Sequence, residues 1–97
     1  MNDVKDIISR VEEYESKLDR ATMVLTELEA ALEEYERVKG DLDDLREYLD
    51  SGQWREDYEA DERGELPEDL KRGVLTEDAI WDLLEREKEI KERLAQS

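Results

Sequence analysis

Asp57, Glu59, Asp61, Glu65 and Glu68 fall at the first, third, fifth, ninth and twelfth places of a calcium-loop template, a spacing that would aim oxygen ligands at one hard cation. The template breaks at its sixth place, where the sharp turn needs glycine and this chain has Glu62. Gly64 arrives two residues late, and Pro67 precedes the last ligand. In a chain with 31 acidic residues such a match is expected by coincidence. A solvated acidic loop is therefore the better reading, and no metal site is assigned. Asp57, Glu59, Asp61 and Glu68 are the candidates if a divalent cation binds weakly.

Paired carboxylates could do acid–base work, with Asp57 opposite Asp61 or Asp69 as the obvious pair. No histidine or cysteine accompanies them, nor a serine nucleophile arrangement or a glycine-rich phosphate loop. A non-enzymatic protein is expected, with no catalytic residue and no cofactor. Lys71-Arg72 is the only adjacent basic pair amid these acids. Its expected role is to complement a helix C-terminus and nearby carboxylates rather than to hold an anion. Trp54 and Trp81 are expected as buried anchors, since each carries roughly 200 Å² of contact surface in a chain without phenylalanine. The sharper alternative places one of them in a partner-binding groove, with Trp54, Tyr58, Asp57 and Asp61 as the candidate contact residues.

Helices must position these groups. Val4, Ile7, Val11, Tyr14, Leu18, Ala21, Leu25, Leu28, Leu32 and Tyr35 recur at alternating steps of three and four residues, which predicts a helix over about 3–38. Acids precede bases by four residues on its flanks, as in Asp6 with Arg10, Glu13 with Lys17 and Glu33 with Arg37. Such a helix is about 54 Å long, more than a compact 97-residue globule can cover without partners folding back beside it. Ile8, Val24 and Ala31 widen the stripe, which favours contact with two neighbouring helices over one.

Lys39-Gly40-Asp41 reads as a stop and restart at which the chain reverses, a continuous kinked helix being the alternative. Leu42, Leu45, Tyr48 and Leu49 predict a short second helix over about 41–51. Pro67, early acids and late bases predict one helical turn over about 67–72, with Gly73 as its left-handed stop. Trp54, Tyr58, Leu66, Leu70, Val74 and Leu75 would pin this connector to the helices. Thr76 as N-cap and the run from Ile80 to Leu94 predict a C-terminal helix over about 77–95. The expected fold is all-α, one small domain over 1–97, arranged as an antiparallel helical bundle or coiled-coil-like assembly.

Composition narrows the partners. Charged residues make up 47% of the chain and the net charge is −16, which opposes direct contact with nucleic-acid phosphates or anionic membrane. Half of that excess lies in residues 40–73, which carry 13 acids and 5 bases. The absence of cysteine removes disulfides and thiolate chemistry. MNDVKDIISRVEEYE lacks the basic and apolar blocks of a signal peptide, and no apolar run approaches about 18 residues, so cytoplasmic residence is expected.

Three runs in the connector are distinctive: Ser51-Gly52-Gln53-Trp54, Asp57-Tyr58-Glu59-Ala60-Asp61, and Leu66-Pro67-Glu68-Asp69-Leu70-Lys71-Arg72-Gly73-Val74-Leu75-Thr76-Glu77-Asp78. Together they resemble the signature of a small bacterial family known only as a domain of unknown function. The resemblance implies a bacterial intracellular protein and carries no catalytic or ligand residues. From the residues themselves, the expected role is binding of another protein or of the chain itself. The alternatives are an acidic decoy that imitates nucleic acid toward a basic partner, and a weak divalent-cation binder.

Overall fold

The computed structural model describes residues 3–97, and no strand occurs among them. Three helices, α1 (Val4–Asp50), α2 (Gln53–Glu62) and α3 (Ala79–Ala95), are joined by a connector containing a 3₁₀ turn at Gly73–Leu75. The all-α expectation holds. The chain divides into two compact units, Met1–Val38 and Lys39–Ser97.

In the first unit, residues 4–38 are the N-terminal part of α1. Asp3 starts the helix: its carbonyl accepts from the Asp6 and Ile7 amides at 3.0 and 3.2 Å, and its carboxylate accepts from the Lys5 amide at 3.4 Å. Glu13 pairs with Lys17 at 3.2 Å as the four-residue spacing predicts, and Lys17 also lies 4.7 Å from the centre of the Tyr14 ring. Arg37 takes Glu34 instead of Glu33.

The expected reversal at Lys39-Gly40-Asp41 does not occur. Helical structure continues through Gly40 and Asp41 to Asp50, so the two predicted N-terminal helices are one. A glycine inside a helix costs only about 1 kcal/mol relative to alanine, which the leucines, glutamates and arginines on either side outweigh. α1 ends instead where Ser51 and Gly52 turn the chain. The Ser51 hydroxyl donates to the Tyr48 carbonyl at 3.1 Å and accepts from the Gln53 amide at 3.3 Å, while Gly52 takes φ 89°.

α2 replaces the solvated loop expected over the first half of the acidic run. Trp54, Tyr58 and Asp61 share its inner face at steps of four and three residues, and all three are half-buried. Gly64, at φ 72°, ends it. The Glu65 amide donates to the Ala60 carbonyl at 3.1 Å and the Gly64 amide to Asp61 at 3.0 Å, the paired bonds of a left-handed helix stop. That role was expected of Gly73, which begins the 3₁₀ turn and has no positive φ.

Of the turn expected over 67–72, the Leu70 amide donating to the Pro67 carbonyl at 3.2 Å is present, and no helix forms. The 3₁₀ turn then packs against both α2 and α3. Its Leu75 and the first-turn Ile80 of α3 are the buried residues of the second unit. Leu66 is half-buried, whereas Leu70 and Val74 stay exposed. At the start of α3, Thr76 contributes its carbonyl to the Ala79 amide at 3.2 Å, and no side chain caps the helix.

Candidate interaction surfaces

The four residues expected at a partner contact in the connector all have partners within the second unit. The Trp54 indole Nε1 donates to the Val74 carbonyl at 2.8 Å, and the ring stacks on Tyr58 with centroids 5.0 Å apart and planes at 15°. This ties α2 to the 3₁₀ turn, with stacking worth about 1 kcal/mol beyond the area it covers. Asp57 accepts from the Tyr48 hydroxyl at 2.6 Å, joining α2 to the end of α1. Burial first, then the hydrogen bond and negative charge of Asp57, push the Tyr48 phenol up to about 12. Glu62 likewise raises the Tyr58 phenol, by hydrogen bonding and by charge.

Asp61 lies 3.1 Å from Nε of Arg72, an ion pair too poorly aligned for that N–H to count as hydrogen-bonded. The guanidinium also donates to the Pro67 carbonyl. Arg72 therefore clamps the 67–70 turn to α2, a role more specific than complementing a helix end. The sequence signal for it was the coincidence of Asp61 with the Trp54 and Tyr58 face. Arg63 and Glu65 pair at 2.9 Å beyond α2, which holds the Glu65 carboxyl below its usual range.

The calcium-loop spacing does not become a cation cage. Asp57 and Asp61 lie one turn apart on a helix instead of in a loop, Glu59 falls on the opposite side of that helix, and Glu68 lies in the later turn. Among the described residues no three acidic side chains converge as metal ligands.

Apolar surface is open in each unit. In the first, every residue from Lys5 to Glu34 is exposed, and the eight large heptad side chains between Val4 and Leu32 are 41–66% accessible. These are the a and d positions of a heptad pattern, left uncovered among the described residues. In the second unit, Trp81 departs from its expected burial and is 57% exposed. Ile80, Leu84 and Glu87 form the inward face of α3, and Trp81 sits at its edge. There a groove of about 530 Å³ opens between Arg46, Leu49, Trp81, Leu84 and Lys88. Beside it Glu87 pairs with Arg46 at 3.7 Å and with Lys91 at 3.5 Å.

Fold and surfaces together define an all-α protein with a small hydrogen-bonded helical cluster and an uncovered heptad stripe. The chain belongs to the family described as Domain of unknown function (DUF4298), whose model matches residues 11–96. Neither the curated proteins nor the solved structures include a match. No described helix is long and apolar enough to cross a membrane.

Proposed function

We propose that the chain is a non-enzymatic, cytoplasmic interaction module that binds a protein partner through the apolar stripe of α1. One observation carries this reading: the heptad positions from Val4 to Leu32 are uninterrupted, and every one is exposed. Helices of globular proteins take most of their stability from burying such a face, and a stripe of this length left in water is a standing drive toward association. By contrast, Trp54, Asp57, Tyr58 and Asp61 are engaged inside the second unit.

The test is a variant carrying Leu18→Glu and Leu25→Glu. Light scattering and capture from the native cytoplasm are compared with wild type, with far-UV circular dichroism checking that the helices persist. The reading expects association, with itself or with a captured protein, to be lost in the variant. Identical masses and identical captured proteins for variant and wild type would overturn it.

A further inference from the structure

We infer that the occupant of the α1 stripe is a second copy of this chain, lying parallel and in register with the first. The inference deepens the proposed role of the stripe and rests on it. Two features of α1 single out this partner: the distribution of charge beside the seam, and the area that the seam offers.

Numbering the heptad from Val4 as the first core position, a, makes Ile7 the second, d, and fixes which residues flank the seam. One flank, position g, carries Arg10 and Lys17 and then Val24 and Ala31, with no acid from residue 10 to 31. The other flank, position e, carries Ile8, Glu15, Thr22 and Glu29, with no base. In a parallel, in-register pair the first flank of one copy faces the second flank of the other, five residues further along. Arg10 then meets Glu15, twice by symmetry, Lys17 meets Thr22, and Val24 meets Glu29. No like charges are opposed.

An antiparallel pair loses this match. With every a position set against a d position, each flank faces its own kind, so Arg10 lies opposite Ala31 and Glu15 opposite Thr22. The structure also leaves the two charges available: Arg10 and Glu15 are exposed, and neither forms an ion pair among the described residues, although Asp6 lies four residues before Arg10.

The area suffices for such a pair. If each of the eight large side chains has roughly 70 Å² left to bury, two copies remove roughly 1,100 Å² from these positions alone. Ile8, Val24, Ala21 and Ala31 bring the total to the ~1,200 Å² of a specific interface.

The absence of native cysteine makes the geometry directly readable. The full chain is examined by sedimentation equilibrium up to about 100 µM, where an interface with Kd of ~10 µM is largely occupied. A mass of two chains is expected; one chain or three overturns the inference. Ala21→Cys places one thiol at a core position that faces itself only in the parallel register. Oxidation should yield a covalent pair, with Ser9→Cys on the opposite face of α1 as the unreactive control. Cross-linking only when Leu18→Cys and Ala21→Cys chains are mixed would show the antiparallel arrangement and overturn the inference.

Arg10→Glu should weaken the pair roughly fivefold and Arg10→Glu with Glu15→Arg should restore it, since two exposed ion pairs become two repulsions and then two ion pairs again. An unchanged Kd in Arg10→Glu would refute the charge register. A monomer whose stripe variant loses a different captured protein would sink the second-copy inference alone. A monomer whose stripe variant loses nothing would remove the broader reading as well.

Discussion

Trp54 gives the sharpest test of how the second unit is held together. Replacing it with phenylalanine keeps an aromatic ring against Tyr58 but removes the indole donor to the Val74 carbonyl, a 2.8 Å bond. The net loss is about 1 kcal/mol for the bond and ~0.5 kcal/mol for the smaller ring. Trp54→Ala removes the stacking as well, about 1 kcal/mol, and roughly 100 Å² of contact, worth ~2.5 kcal/mol, for a total near ~4.5 kcal/mol with the lost bond. Leu75 and Ile80 are the buried hydrophobic residues of this unit, so its stability belongs at the low end of the ~5–15 kcal/mol of small domains. The alanine variant should therefore leave residues 39–97 barely folded. Urea unfolding followed by circular dichroism measures both changes, in the Leu18→Glu, Leu25→Glu background so that association does not shift the midpoint. With a slope of about 1.5 kcal/mol per molar, Trp54→Phe should move the midpoint by ~1 M. A shift below ~0.2 M for Trp54→Phe, or equal midpoints for the two variants, would refute the anchor assignment.

The glycines offer an opposed pair, because a Cβ at Gly40 or at Gly52 meets no atom within 4 Å and only backbone conformation separates them. Gly40→Ala should stabilise α1 by about 1 kcal/mol, whereas Gly52→Ala, forced to φ 89°, should cost ~1–2 kcal/mol; thermal midpoints moving in the same direction would contradict the assignment. Tyr48 predicts an alkaline transition. Its folded pKa of about 12 lies above the ordinary value of 10.0, so its contribution is complete below pH 10 and is lost as pH rises from there to about 12. A rise from 10.0 to about 12 corresponds nominally to ~2.7 kcal/mol, and solvent screening at this partly exposed ring reduces the expected effect to about 1 kcal/mol. Tyr48→Phe should flatten that segment of the stability profile, and profiles of equal slope would show that the phenol contributes nothing.

Long-range periodicity was the most legible feature of this sequence. The heptad from Val4 and the run from Ile80 to Leu94 give α1 and α3 because many positions repeat one message, and no single residue can cancel it. Gly40 shows the converse: local stop signals are cheap to override when both flanks are strong helix formers. α2 was hidden because its inner face consists of Trp54, Tyr58 and a carboxylate, Asp61, whose place there depends on Arg72 eleven residues away. A pattern of apolar residues cannot register a face completed by an ion pair. Trp81 differs for a related reason: helical spacing places it beside Ile80 and Leu84, and periodicity alone does not separate the centre of that face from its rim, where Trp81 is 57% exposed.

The acidic excess bears on which partner the molecule can accept. Residues 40–73 hold half of the net charge, so a decoy for a basic protein would have to act there. Five acids of that segment are already committed: Asp43 to Arg46, Asp57 to Tyr48, Asp61 to Arg72, Glu62 to Tyr58 and Glu65 to Arg63. Recruiting them to an outside cation would break contacts that fold the connector, an opposing cost on each phosphate-like contact. The stripe segment has no such conflict. Residues 1–39 carry 11 acids against 6 bases, a lower charge density than the connector, with the bases Arg10 and Lys17 at the seam. Apart from Tyr14, whose ring lies beside Lys17, its large side chains between Val4 and Leu32 are simply exposed. Binding at the stripe therefore adds apolar contacts at little cost, while binding at the acidic connector trades against internal contacts wherever it recruits a committed acid, which is consistent with α1 as the proposed working surface.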